Sequence, residues 1–227
     1  MKIQILVPTH DNIPALFAYD LAQLMAHTTS IMPKGVELGL SFSIGTYVHV
    51  SRNELLHDAL ENGADYVLWL DSDMRFPREM LVALLNRDEN VVGINYCTRQ
   101  VPPTFVAAKG VRTEKGIRVP TMSDSTGLEE VDVIGFGGVL IKTDILKDLP
   151  PYSEEPWFHF DRLHNNSRVG EDAYFCLNIL QDKLGQKIYV DHDLSRACAH
   201  IGSFEYKTDH AELTWEVEQS VEHEDNS

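Results

Sequence analysis

Asp71, Ser72 and Asp73 follow directly on the apolar run Tyr66-Val67-Leu68-Trp69-Leu70. Two carboxylates one residue apart offer hard oxygen ligands, which suit Mg2+ or Mn2+ held together with water and a substrate's phosphates. Five apolar residues in a row read as a strand buried on both faces. In an open α/β sheet such a strand delivers the chain to the carboxyl edge, where ligands bind. The same letters also describe a solvated turn, and Asp191-His192-Asp193 repeats them after the strand-like Lys187–Val190, so the pair alone does not decide. Other residues able to do chemistry are Arg52-Asn53, the loop Gly135-Phe136-Gly137-Gly138, the acids Glu171 and Asp172 after Gly170, and His200. Each has a bland reading as well. Acids in a first turn complement the helix dipole, three glycines in four residues can be a simple bulge, and Arg52 can be a surface arginine.

The elements that must position these residues alternate. Strand Ile3–Val7, helix from about Pro14 to His27, strand Val36–Ile44, a helix from Gly45 to about Asn62, strand Asp65–Leu70, a helix opened by Pro77 and a short strand Val91–Asn95 predict a mainly parallel sheet. Asp11 or Asn12 is the expected cap of the first helix. Residues 96–130, with three prolines, read as loops and short antiparallel strands at Thr104–Ala108 and Gly116–Val119. Val131–Ile134 reads as a strand broken by the glycines before Val139–Ile141. Ala173, Cys176, Leu177, Leu180 and Leu184 fall at helical spacing and leave Glu171 and Asp172 in the first turn. Leu213, Trp215 and Val217 suggest one amphipathic helix near the end. Trp157 and Phe158 lie in the loop 150–170, either as core anchors or as flat faces for a sugar.

With 227 residues, 43% of them hydrophobic, the chain can bury a sizeable core. Its net charge of −16 disfavours non-specific contact with nucleic acid or anionic lipid. From Asp209 onward there are seven acids and no Lys or Arg. Three cysteines, Cys97, Cys176 and Cys198, without Cys-x-x-Cys spacing, predict reduced thiols and a cytoplasmic protein. The first residues have no signal-peptide pattern and no run approaches a membrane span.

In chain order the pieces are Pro8-Thr9, Arg52-Asn53, Asp71-Ser72-Asp73, the glycines 135–138, Gly170-Glu171-Asp172 and His200-Ile201-Gly202. This order resembles GT-A fold glycosyltransferases over about residues 1 to 204, and is most similar to short, family-2-like enzymes of the bacteriophage type. The resemblance implies a Rossmann-like α/β domain over 1–204, mainly parallel with a small antiparallel part. Residues 205–227 would be an acidic C-terminal tail, partly helical or disordered. It implies Mn2+ or Mg2+ held by Asp71, Asp73 and His200, and a nucleotide-sugar donor, UDP rather than GDP. Asp172 would be the general base and Glu171 would orient hydroxyls, or the two would exchange roles, with inversion at the anomeric carbon. Pro8, Thr9, Asp11, Arg52, Asp71, Ser72, Gly137, Gly138 and Lys207 would contact the donor.

The acceptor would be a hydroxyl on a glycan, a protein or a modified DNA base. Net charge speaks against DNA, and the cations Lys109, Arg112, Lys115 and Arg118 speak mildly for it. A phage-encoded enzyme would work in the host cytoplasm. Two alternatives remain open: a nucleotide-sugar-binding module without catalysis, and a sugar-phosphate nucleotidyltransferase. The second calls for a glycine-rich basic loop after the first strand, where this chain has Pro8-Thr9-His10-Asp11.

Overall fold

The computed structural model describes residues 1–112, 116–162, 168–202, 205–212 and 215. β1 (Lys2–Thr9), α1 (Ala15–Ile31), β2 (Glu37–Ile44), α2 (Val48–Glu61) and β3 (Tyr66–Trp69) alternate as the sequence predicts. β4 (Met74–Arg75), α3 (Met80–Asn86) and β5 (Val91–Gly93) follow. The middle of the chain holds β6 (Ala108–Lys109), β7 (Ile117–Arg118), β8 (Leu128–Val131) and β9 (Val139–Lys142). Then come β10 (Asp161–Arg162), β11 (Arg168–Val169), α4 (Glu171–Tyr174), β12 (Ile188–Asp191), α5 (His192–Ser195), β13 (Ala199–Ile201) and β14 (Glu205–Tyr206). Residues 208–212 are again helical. No helix among the described residues is long and apolar enough to cross a membrane.

One seven-stranded sheet, in the order β2-β1-β3-β9-β5-β12-β8, organises the molecule. β1, β2, β3, β5 and β12 run one way, and β9 and β8 run against them. The architecture is thus the expected α/β, GT-A-like arrangement of a mainly parallel sheet flanked by helices, with smaller antiparallel pieces. β9 is the strand that matters for the site. Because it is antiparallel to β3, its first residue Val139 pairs with Trp69 at the end of β3, so the glycines before Val139 reach the same sheet edge as Asp71.

The period of two along each strand divides the core into two layers. Ile3, Ile5, Val7, Leu68 and Leu70 face α1 and α3 through Phe17, Leu21, Leu24, Met80 and Leu84. Leu6, Val67 and Trp69 face α2 and the helix after Glu171 through Leu55, Leu56, Phe175, Cys176 and Leu180. All of these are buried, so β3 is covered on both faces as its apolar run requires.

Several local expectations change. α1 begins after Pro14 with no side-chain cap, so neither Asp11 nor Asn12 fills that role. The strand expected at Val131–Ile134 lies earlier, at Leu128–Val131, where it can pair with β12. Thr104–Ala108 contributes isolated bridges, Cys97 to Phe105 and Ala108 to Val133, and only Ala108–Lys109 forms a strand. α4 gives way after one turn to π-wound helix over Phe175–Lys183, and the predicted apolar positions Cys176, Leu177 and Leu180 are buried. Trp157 and Phe158 are buried in the core, so they offer no face to a sugar. Leu213, Val217 and Lys115 lie outside the described residues, whereas Trp215 packs on Phe105, with the ring centroids 6.3 Å apart.

Gly93 shows how tightly β5 and β9 meet. A Cβ there would come within 2.5 Å of the Gly138 carbonyl oxygen, a backbone atom with little room to retreat. Gly93→Ala is therefore expected to destabilise the protein by about 1–3 kcal/mol, read as a lower urea midpoint with an unchanged slope.

Candidate functional site

The chain leaves β3 through Leu70 and turns at Asp71-Ser72-Asp73, closed by a bond from the Met74 N–H to the Asp71 carbonyl at 3.2 Å. β4 then pairs with β13, placing His200 opposite Met74. The Ile201 N–H donates to the Asp73 carbonyl at 2.6 Å. This short pairing brings a late histidine to the Asp-x-Asp turn, with His200 Nε2 3.3 Å from Asp73 Oδ1. His200 Nδ1 lies 3.0 Å from the Cys97 carbonyl oxygen, and Tyr96 stands edge-on to the imidazole at 5.3 Å.

These residues open onto a cleft of 370 Å³ at the carboxyl edge of the sheet. Pro8, Thr9 and His10 line it from the end of β1, and Gly45, Thr46, Val48 and Ser51 from the start of α2. Asp71, Ser72, Asp73, Arg52, Glu171 and His200 complete it together with Arg99, which the sequence reading missed. Of the expected donor contacts, Pro8, Thr9, Arg52, Asp71 and Ser72 therefore come together. Asp11, Gly137, Gly138 and Lys207 do not line the cleft. Gly137 and Gly138 pack instead against Tyr96, Met74, Met80 and Ile94, and neither has a positive φ, so their missing Cβ atoms serve the core. A larger cleft of 520 Å³ opens at the opposite edge, beside Ala64, Asp65 and Thr143. Size does not rank the two, because open α/β sheets bind ligands at the carboxyl ends of their strands.

Arg52 is the centre of the arrangement and is buried rather than on the surface. Its Nη2 donates to Asp71 Oδ1 at 2.8 Å and its Nε to Glu171 Oε1 at 3.3 Å. The guanidinium lies over Phe136, Trp69 and Phe158 at 5.1, 5.4 and 5.9 Å from the ring centroids. Burial alone would lower its pKa, but Asp71, Glu171 and Asp172 outweigh that and raise it. The next residue, Asn53, fixes the loop over these rings. Its Oδ1 accepts from the Trp157 and Phe158 N–H groups at 3.0 and 3.1 Å, and its Nδ2 donates to the Phe158 carbonyl at 2.9 Å.

The acids differ in their environments. Burial would raise Asp73, but the hydrogen bond and charge of His200 and the charge of Arg99 hold it below the ordinary value. Asp172, at the start of α4, is pushed up to about 6 by burial and by Glu171, against the opposing pull of Arg52 and the Ala173 N–H. Its Oδ1 accepts from that N–H at 2.7 Å. Carboxyls moved in opposite directions like Asp73 and Asp172 can take different roles, one charged and one exchanging a proton near neutrality.

Asp73 and His200 fit a divalent cation of the Mn2+ type. The Cys97 carbonyl fixes the ring through Nδ1, and Nε2, which faces Asp73 Oδ1 across 3.3 Å in this structure, is the atom that would share a cation with that oxygen. Asp71 points to Arg52 instead, and among the described residues no group of three or more His, Cys, Asp or Glu side chains gathers as a metal cage. The second Asp-x-Asp is structural. Asp191 caps α5 by accepting from the Leu194 N–H and pairs with Arg87 through both oxygens at 2.7 and 3.0 Å.

Replacing Arg52 by Met leaves Asp71 and Glu171 without their shared cation beside three aromatic rings. The expected loss is about 3–5 kcal/mol by urea unfolding at pH 7. Arg52→Lys recovers little of it, because one ammonium does not span two carboxylates as the guanidinium fork does.

No protein-family profile matches the chain, and a search of curated proteins finds no match. Among solved structures, A197 from STIV superposes with a TM-score of 0.59 at 18% identity over 92% of each chain. TarS from S. aureus gives 0.41 at 15% identity over 85% of this chain and 58% of that one. A glycosyltransferase involved in the glycosylation of the major capsid of PBCV-1 gives 0.32 at 14% identity, over 67% and 71%. What the chain shares with A197 across its length is the fold.

Proposed function

We propose that the protein is a metal-dependent, inverting glycosyltransferase that moves a sugar from a nucleotide-sugar, UDP-linked, to a hydroxyl acceptor. The observation that carries this reading is the convergence of Asp73 with His200 and of Arg52 with Asp71 and Glu171 around one cleft; Asp172 follows Glu171 outside the cleft lining, within electrostatic reach of Arg52 and Asp71. Asp73 and His200 would hold a divalent ion, with Asp71 close by, and that ion would supply positive charge to the departing diphosphate. Pro8, Thr9 and Ser72 flank the donor. Thr9 Oγ1 is buried without a hydrogen-bond partner among the described residues and is suited to receive one from a bound nucleoside.

Asp172 acts as the base. It takes the proton of the acceptor hydroxyl as that oxygen bonds to the anomeric carbon. The bond from that carbon to the diphosphate oxygen breaks on the opposite face, and the diphosphate leaves with the electron pair. Glu171 is engaged in its ion pair with Arg52, so it orients hydroxyls from the wall of the cleft. Acceptor choice falls to the loops 96–130 and 150–170. No observation favours a modified DNA base over a glycan or protein, and Lys109 of the basic group is already paired with Glu129.

Calorimetric titration tests the donor site: UDP is expected to bind only with Mn2+ present, and Asp73→Ala to abolish binding. Binding that ignores Mn2+ would overturn the metal-dependent reading. The base is tested by pH. Because Asp172 must be ionised to accept the proton, kcat/KM for a UDP-sugar is expected to rise with pH through a midpoint near 6. Asp172→Asn is expected to lower kcat by about 100- to 10,000-fold and to remove that limb while leaving UDP binding intact.

A further inference from the structure

Asp73 has both carboxylate oxygens engaged. Oδ1 faces His200, and Oδ2 is 2.8 Å from Arg99 Nη1. Arg99 follows β5 on the segment that supports His200, since Tyr96 stacks edge-on to the imidazole and the Cys97 carbonyl meets Nδ1. One short stretch, residues 96–99, therefore touches both partners of the proposed metal pair. Among the described residues that line the cleft, the arginines are Arg52 and Arg99. Arg52 is buried and committed to Asp71 and Glu171, whereas the Arg99 side chain is 51% exposed. An ion pair this exposed is held weakly, so its cation can change partners at small cost.

Two requirements meet at this residue. A divalent ion at Asp73 Oδ1 would stand close to the guanidinium on Oδ2 of the same carboxylate, and like-charge repulsion would loosen the Arg99 pair. A nucleoside diphosphate entering a cleft walled by Asp71, Asp73 and Glu171 needs a cation that can reach its oxygens. A guanidinium fork matches phosphate in geometry and charge. We propose that Arg99 exchanges partners: it neutralises Asp73 in the ion pair seen here, and it grips the diphosphate of the donor once a divalent ion claims Asp73. Arg99 then makes the cleft selective for diphosphates over monophosphates and couples metal entry to nucleotide entry. This inference rests on the nucleotide-sugar reading above and adds a residue to it.

The experiment compares wild type, Arg99→Ala and Arg99→Lys, with Arg78→Ala as a control at an exposed arginine paired to Glu79. Mn2+ is titrated into nucleotide-free protein and followed by electron paramagnetic resonance. UDP and UMP are then titrated calorimetrically at saturating Mn2+. Arg99→Ala is expected to bind Mn2+ about threefold more tightly, since its competitor is gone. It is expected to bind UDP about tenfold more weakly and UMP unchanged. Arg99→Lys keeps the charge, so it holds the wild-type Mn2+ affinity and recovers part of the UDP grip. If Arg99→Ala binds Mn2+ and UDP as wild type does, or loses affinity for both, the exchange is overturned while the donor-site reading stands. Wild type and variant alike blind to Mn2+ and UDP would overturn both.

Discussion

A single buried positive charge organises this cleft. Arg52 sits beneath Asp71 and Glu171, near Asp172, and against the faces of Trp69, Phe136 and Phe158. Leaving water is costly for a guanidinium, and the cost is offset only by partners that stay in place. Each of those partners comes from a different element: β3 supplies Trp69 and leads into Asp71, α4 supplies Glu171, and the loops before β9 and after Pro156 supply Phe136 and Phe158. α2 must therefore dock at one height and one rotation, and Asn53 adds the hydrogen bonds that hold the Trp157-Phe158 backbone to the same helix. The same contacts make the site rigid. Phe158 and Phe175 stack at 4.3 Å with planes 5° apart, which ties the loop over Arg52 to the helix that presents the acids.

Topology supplies what Arg52 cannot. A fully parallel sheet returns every connection through a long crossover, and the loop before a strand then lies at the amino edge. Running β9 backwards between β3 and β5 reverses this and puts residues 135–138 at the carboxyl edge. Three of the four residues there are glycines, and Tyr96 and Met80 occupy the space that their side chains would need. Tyr96 in turn donates no charge to the site: burial, with Asp71 and Asp172 nearby, holds its phenol well above the ordinary value. It accepts from the Gly137 N–H at 3.2 Å and leans on His200, so the glycine segment supports the histidine through one phenol.

Much of this was legible in the sequence, and the limits have physical causes. The strands and helices of the first ninety residues announced themselves because fully buried strands leave uninterrupted apolar runs such as Tyr66–Leu70. Asp71, Asp73, Glu171 and His200 could be named because acids after a strand and a fixed order of motifs are local signals. Arg52 was named for its type, but its burial was not legible: in Val48-His49-Val50-Ser51-Arg52-Asn53 nothing marks a charged residue as interior. Its counter-ions stand far along the chain, and long-range charge pairing leaves no periodicity. Arg99 was missed for the same reason, lying in a proline-rich stretch that reads only as loop. The glycines were read as freedom for a ligand, whereas the space they leave is filled by Tyr96, a residue that carried no motif at all.

Charge accounting in the cleft explains why its cations differ in kind. Three carboxylates, Asp71, Asp73 and Glu171, line it with one committed arginine, one exposed arginine and one imidazole, and Asp172 outside the lining adds a fourth acid within electrostatic reach of Arg52 and Asp71. The protein as a whole is already at −16. Acidic neighbours raise the Arg52 pKa against the lowering effect of burial, so the charge is permanent, and it fixes the acids but does not move to a ligand. Asp172 relieves part of the remaining repulsion by holding its proton up to about pH 6. Asp73 takes the other course, kept charged by His200 and Arg99. A diphosphate brought into such a place adds negative charge where one fixed cation is already shared by two carboxylates. On the proposed reading the cleft therefore accepts its donor only with a mobile positive charge, which a divalent ion and an exposed arginine can provide and a second buried arginine could not.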